Sequence, residues 1–230
     1  MIDYCPISLC NVLYKLFSKV LANRLKKLLP KIITEHQYAF VKDRLITDNI
    51  LIAFETLHCM KNYESGSLSY MALKLDMSKT YDQVEWNFLE KLMMRMGFND
   101  RWVGLIMTCV KTVTYSVMVN GEPKGLFTPS RGIRQGDPLS PFLFLLCTEG
   151  LHELIQQAAS SGEITSFALY RQEPKLTHLF FVDDILLFCR ATYRECNKVM
   201  ELLSEYESVF GQKVNRDKTH SFLADQLMKP

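Results

Sequence analysis

Leu176-Thr177-His178-Leu179-Phe180-Phe181-Val182-Asp183-Asp184-Ile185-Leu186-Leu187-Phe188-Cys189 sets two adjacent acids inside an otherwise apolar run. The pattern predicts one buried strand over Leu179–Val182 and the next over Ile185–Cys189, with the acids at the hinge of a tight hairpin. A buried carboxylate is costly unless it is paired or holds a metal. A hairpin turn with solvated Asp side chains is the competing reading. A third carboxylate brought in from elsewhere would decide between them.

The chain has 230 residues, 48% hydrophobic and 23% charged, which suffices for one large domain or two closely packed lobes. A formal net charge of +2 does not by itself mark a nucleic-acid binder, but the distribution is uneven. Lys15, Lys19, Arg24, Lys26, Lys27 and Lys31 fall between Tyr14 and Lys31 with no acid among them. Such a stripe can meet phosphates, and a solvated helix face is its alternative. Seven cysteines without a C-x-x-C pair predict reduced thiols in an intracellular protein rather than a disulfide scaffold. The histidines have no zinc-ligand spacing, the first residues do not form a signal peptide, and no apolar run reaches the length of a membrane span.

Outward from the acidic hairpin, helices and strands alternate irregularly. Ser8–Leu29 has helical periodicity in Leu9, Leu13, Leu16, Phe17, Val20, Leu25 and Leu28, and Pro30 closes it. Thr47-Asp48-Asn49 reads as an N-cap cluster for a helix to about Tyr63, with Ile50, Phe54 and Leu57 as its apolar stripe. Glu64–Ser67 is a loop. Tyr70–Asp76 alternates as a strand, Met71, Leu73 and Leu75 on one face and Ala72, Lys74 and Asp76 on the other. Helices are predicted over Val84–Met96 and after Asn99-Asp100, then a hairpin about Asn120-Gly121. Arg131–Asp137 is a basic loop punctuated by glycine, and Ser140-Pro141 opens a helix to about Ser160. Thr192–Glu195 fits a capping box for a helix that Gly211 ends, and Lys213–Leu223 makes a loop and short strand. This order predicts an α+β fold, an antiparallel sheet backed by helices.

Asp76 at a strand end and Asp183 and Asp184 at the hairpin are the three candidate acids. If the two strands are neighbours, these carboxylates converge on divalent cations, the arrangement that nucleotidyl transfer uses.

Ordered blocks along the chain carry a resemblance. They are Pro6–Leu9, Arg44–Ile50, Leu75–Asp82, Arg131–Pro141, Phe181–Asp184 and Gly211–Asn215 with Lys218. The chain resembles the reverse transcriptase domain of non-LTR (LINE-type) retrotransposons, especially the plant kind. The resemblance implies an α+β polymerase fingers–palm fold over residues 1–230, with about 1–68 mainly fingers and 69–230 mainly palm with interleaved fingers segments. It implies RNA-directed DNA polymerase activity on an RNA template and DNA primer with dNTPs, and two Mg²⁺ or Mn²⁺ ions. Asp76 and Asp183 would be the principal ligands, with Asp184 auxiliary, because strict alternation points neighbours to opposite faces. The Met77 carbonyl would assist.

Tyr81 would sense the sugar, since a bulky ring clashes with a 2′-hydroxyl. Gln135 and Gly136 would lie against the nascent base pair, Arg44 on the triphosphate and Lys218 near the pyrophosphate. Lys15, Lys19, Arg24, Lys26 and Lys27 would meet nucleic acid. An RNA-directed RNA polymerase shares the acids, but Tyr81 argues against it.

The chain departs from the family pattern at Cys5, Lys42-Asp43, Thr80, Val182 and Gln83. The endonuclease and thumb segments of a longer polyprotein are expected to be absent from this chain. The alternative reading is therefore a truncated, weak or inactive nucleic-acid-binding remnant.

Overall fold

The computed structural model describes residues 7–62, 69–78, 80–169, 175–215 and 218–223. The predicted Glu64–Ser67 loop, and Cys5, Pro6 and Lys79 of the motif blocks, lie outside the described residues.

In chain order come α1 (Val12–Lys26), α2 (Leu29–Ile32), α3 (Ile46–Lys61), β1 (Tyr70–Ser78), α4 (Trp86–Arg95), α5 (Asp100–Lys111), β2 (Tyr115–Val119), β3 (Glu122–Phe127), α6 (Ser140–Ser160), β4 (His178–Phe181), β5 (Asp184–Arg190), α7 (Tyr193–Phe210), β6 (Lys213–Val214) and β7 (His220–Leu223). A five-stranded antiparallel sheet runs β4-β5-β1-β6, with β7 also pairing β1. The strands β2 and β3 form a separate ribbon. Asn120 and Gly121 at its tip both have positive φ, as a type I′ turn demands.

The alternation predicted for β1 places both faces of the sheet. Met71, Leu75 and Met77 join Ile185, Leu187 and Cys189 against α7 and the C-terminal half of α6. Tyr70, Ala72 and Phe188 occupy the other face with Met60 of α3. A further cluster joins α1, α2, α4, α5 and the N-terminal half of α6. Leu143 to Cys147 are all buried, so α6 runs through the middle of the protein rather than along its surface.

The local signals behave unevenly. Asn11 caps α1 and Asn99 caps α5, each side chain accepting from a first-turn N–H. Thr192 caps α7, but the other half of the predicted box goes elsewhere. The Glu195 carboxylate accepts from Arg190 N and from Thr165 instead of closing on Thr192.

Much of two predicted apolar stripes faces outward, although Leu25 and Leu57 of those stripes pack inward. In α1, Leu13 is 80% and Leu16 63% exposed, with Phe17 and Val20 about half exposed, while Ser18, Leu21, Ala22 and Leu25 pack inward. In α3, Ile50 and Phe54 are exposed and Asn49, Thr56 and Met60 are buried. Periodicity alone cannot choose the inward face of either helix. Asn49 can go inside because its Nδ2 donates to the Phe180 carbonyl at 2.9 Å, satisfying a buried polar group. It therefore does not cap α3, whose N-cap is Leu45 without a side-chain bond.

Candidate active site

The strand register brings the predicted acids together. β1 and β5 pair so that Asp76 stands opposite Asp184, with Leu75 opposite Ile185 and Lys74 opposite Leu186. Paired residues share a face, so Asp76 and Asp184 project to the same side. Like charges directly opposite each other are destabilising. Here Lys74 Nζ lies 2.9 Å from Asp184 Oδ1, and its pKa is raised by that contact. Asn215 donates its backbone N–H to the Asp76 carbonyl at 2.8 Å and its Nδ2 to Asp76 Oδ2 at 3.4 Å.

Asp183 comes from the turn. Phe181 pairs with Asp184, leaving Val182 and Asp183 as a two-residue loop. Val182 has φ +55°, where glycine or asparagine is usual and a β-branched residue is strained by about 1–3 kcal/mol. Gln37 braces this strained turn, its Oε1 accepting from Val182 N at 3.4 Å and from Ala39 N at 3.0 Å. The Thr80 hydroxyl donates to Asp183 Oδ2 at 3.5 Å. Thr80 in turn is fixed by Gln212, whose Nε2 donates to its carbonyl at 3.2 Å while Oε1 accepts from Tyr206 at 2.6 Å. Burial first, and then the charges of Asp184 and Asp76, raise the Asp183 pKa above the ordinary carboxylate range. The three carboxylates thus share one electrostatic field.

Tyr81 stands in that field. Its ring stacks on Phe144 with centroids 5.5 Å apart, and burial and then the Asp183 charge push its hydroxyl up to about 12. Its carbonyl accepts from Ile133 N at 2.8 Å, tying it to the basic loop. Gly132 N donates to the Val84 carbonyl and the Trp86 indole N–H to the Gly132 carbonyl, at 2.8 and 2.7 Å. At Gly132, φ is +89° and a Cβ would lie 2.9 Å from the Asp82 carbonyl oxygen, so only glycine lets the two segments approach. Gly136, with φ +94°, makes a similar approach to Ser8, and Ser8 N donates to the Gln135 carbonyl at 2.9 Å. Gln135 borders a cleft of about 730 Å³ whose walls include Ile7, Tyr115, Val117, Phe127 and Arg131. The three acids do not line this cleft; Asp184 is exposed, and Asp76 and Asp183 are half-buried.

Arg44 and the basic residues of α1 lie on other elements than the acids. Arg44 is engaged by the loop before it, donating to the carbonyls of Thr34, Gln37 (2.6 Å) and Ile33 (3.0 Å). The structure therefore gives its guanidinium a loop-fastening position and does not bring it to the acids. Lys218 is exposed on a short turn, its N–H bonded to Asn215, the residue that touches Asp76. Met77 is buried and pairs with Val214. Lys15, Lys19, Arg24, Lys26 and Lys27 are all exposed along and just after α1. Gln37, Thr80, Gln212 and Asn215 do not stand out as site residues in the sequence, because each acts through a partner more than 100 residues away.

Among the described residues, no group of three or more His, Cys, Asp or Glu closes around an ion-sized space. The donor chemistry fits an ion held jointly with a substrate. The oxygens are hard, burial and the like charges of Asp184 and Asp76 oppose the ionisation of Asp183, and divalent cations of this kind take one or two carboxylates plus phosphates. Among the described residues, no helix is long and apolar enough to cross a membrane.

A family described as Reverse transcriptase (RNA-dependent DNA polymerase) matches residues 2–229. An uncharacterized mitochondrial protein of Arabidopsis thaliana is 51% identical over 67 residues, 29% of this chain and 55% of that protein. The retrovirus-related Pol polyprotein from type-2 retrotransposable element R2DM of Drosophila melanogaster is 28% identical over 220 residues. That match covers 94% of this chain and 19% of the polyprotein, so the chain spans under a fifth of that relative's length. Among solved structures, telomerase from Candida tropicalis in complex with a fragment of telomeric RNA is similar at TM-score 0.61 and 16% identity. The match covers 90% of this chain and 33% of that one, and it places the fold with polymerases of the fingers–palm kind.

Proposed function

The chain belongs to the reverse transcriptase family, and from that premise we propose that it is the RNA-directed DNA polymerase domain of a non-LTR retrotransposon. The observation that carries this reading is the register pairing Asp76 with Asp184, with Asp183 in the adjoining turn and Tyr81 within its field. The division follows the same line: residues 1–68 are mainly fingers, and 69–230 are mainly palm with interleaved fingers segments.

In the proposed reaction a primer 3′-hydroxyl attacks the α-phosphate of a dNTP and pyrophosphate leaves. Reverse transcriptases use divalent metal ions; two, Mg²⁺ or Mn²⁺, held by Asp76, Asp183, Asp184 and the Met77 carbonyl, would activate the attacking oxygen and stabilise the leaving one. Asp183 is the acid most in need of a cation, because burial and two like charges already oppose its ionisation. Lys74 offsets the Asp184 charge, which supports Asp184 as the auxiliary ligand.

Tyr81, backed by Phe144, presents a rigid ring that excludes a ribose 2′-hydroxyl. Gln135 and Gly136 meet the nascent base pair. Lys218 attends the pyrophosphate, supported by its exposure beside Asn215, the residue that touches Asp76. The exposed basic row of Lys15, Lys19, Arg24, Lys26 and Lys27 takes phosphates of the RNA template or DNA primer. Endonuclease and thumb segments are supplied by flanking parts of a longer polyprotein, as the length of the Drosophila relative suggests. The free cysteines among the described residues fit a reducing, intracellular setting.

Extension of a DNA primer on an RNA template tests this. The wild type should add dNTPs and reject rNTPs, and Tyr81→Ala should accept both. Equal use of both sugars by the wild type would remove Tyr81 from the site. Binding of primer–template without any extension would instead favour an inactive nucleic-acid-binding remnant.

A further inference from the structure

We propose that Tyr14, Arg134 and Asp137 form a clamp that positions Gln135 and Gly136 and thereby sets nucleotide affinity. The inference rests on the polymerase reading above and assigns the three a positioning role.

Three elements meet here. Asp137 is only 5% exposed. Its Oδ2 accepts from the Tyr14 hydroxyl on α1, and its Oδ1 accepts from Leu139 N at 2.9 Å, at the entrance to α6. The Arg134 guanidinium lies 3.6 Å over the Tyr14 ring centroid, 3.7 Å from Asp137 Oδ2, and donates to the Cys109 carbonyl of α5 at 2.7 Å. A buried charge pair is stable only when its remaining donors and acceptors are matched, and here each charged group has several partners. Burial and the Asp137 carboxylate push the Tyr14 hydroxyl well above its ordinary value, so it remains a donor.

The consequence concerns what lies between the clamped residues. Gln135 follows Arg134 directly, and Gly136 precedes Asp137. Both flanks of the Gln135–Gly136 pair are therefore anchored to the body by side chains. Ser8 holds the Gln135 carbonyl from a third side, and Trp86 holds Gly132 at the far end of the loop. The Gln135 side chain is left as the part free to read a ligand from a turn that cannot drift. Removing one anchor leaves the acids untouched but lets the turn move. The loss should therefore appear in nucleotide binding rather than in chemistry. Tyr14 also sits on the helix that carries Lys15 and Lys19, so the clamp joins the basic face to the nucleotide side of the site.

The molecule supplies its own reporter. It has two tryptophans, and Trp86 is bonded to the loop. In a Trp102→Phe background, acrylamide quenching of Trp86 reads the loop without catalysis. Tyr14→Phe keeps the ring beneath Arg134 and removes only the hydroxyl. It should increase quenching and raise KM for dNTP about threefold to tenfold with kcat held within about twofold. Asp137→Asn should do the same, and the double variant should be no worse than the worse single one. Leu89→Ala, a core change in α4, should lower Tm without moving KM. Unchanged quenching in Tyr14→Phe overturns the clamp. Increased quenching with unchanged KM, or additive effects of the two substitutions, overturns the positioning role. If the wild type extends no primer, the quenching arm still decides the clamp, and only the polymerase reading fails.

Discussion

Lowering the pH from about 7.5 to about 5 strains the junction where the loop before α3 meets the palm. His36 of that loop, His152 of α6 and His178 of β4 pack with ring centroids 4.8 to 5.6 Å apart. His152 Nδ1 and His178 Nε2 are 3.0 Å apart, and His178 Nδ1 meets the Thr177 hydroxyl at 2.7 Å. Burial holds all three imidazoles below their ordinary value, His152 at about 4. The unfolded chain therefore takes up protons first, and stability present above about 6.5 is lost as pH falls. His178, which is fully buried, contributes with the same sign, because burial and then the neighbouring His36 and His152 oppose its protonation in the folded state. For His152, partly exposed and held at about 4, the loss between pH 6.5 and 5 is about 1 kcal/mol after allowance for solvent screening.

Glu149, three residues before His152, works the other way. Burial raises it from 4.5 to about 7, so the folded state holds a proton the unfolded state releases. It contributes about 2–3 kcal/mol of relative stabilisation between pH 7 and 5. Arg44 and Glu153 act on Glu149, and Arg44 and Glu35 on His36. The histidine and Glu149 contributions have opposite signs across this range, so the variants separate. In urea unfolding at both pH values, His178→Gln should lose less stability than wild type on acidification, and Glu149→Gln about 2–3 kcal/mol more. Parallel behaviour of His178→Gln and wild type would refute the reasoning.

Gly132→Ala should destabilise by about 2–3 kcal/mol, read as a fall in the urea midpoint, because φ +89° and the Asp82 carbonyl leave no room for a Cβ. Arg44→Ala should cost about 2–4 kcal/mol by stripping three loop carbonyls of their donor. Its KM for dNTP should hardly move, and a large KM increase without loss of stability would return Arg44 to the triphosphate.

The parts of this fold legible in the sequence are those governed by local rules. Strand alternation around Asp76, the Asn120-Gly121 turn, the Asn99 cap and the Gly211 terminus all appear where chain chemistry places them. The family membership was likewise legible, in ordered motif blocks. The inward faces of α1 and α3 were not, because Ser18, Asn49 and Thr56 go inside while Leu13, Ile50 and Phe54 face out, a choice that tertiary contacts make. The face of Asp184 was also hidden. Alternation sets it opposite its neighbour Asp183, and only the β1–β5 register reveals that it projects alongside Asp76. Thr80, Gln212 and Asn215 support the acids from distant segments, and single polar residues in loops give no periodic signal. Exchange of Asn49 from cap to buried donor has the same cause, since its partner, the Phe180 carbonyl, lies 131 residues away.

The most direct measurement of the central claim is single-nucleotide addition by the wild type and by Asp183→Asn, each checked for folding by thermal melting. The account predicts that Asp183→Asn melts higher, because it removes a carboxylate opposed by burial and by Asp184 and Asp76, yet loses dNTP addition by about a thousandfold or more. Undiminished addition by a folded Asp183→Asn chain would contradict the assignment of the acidic hairpin as the catalytic centre.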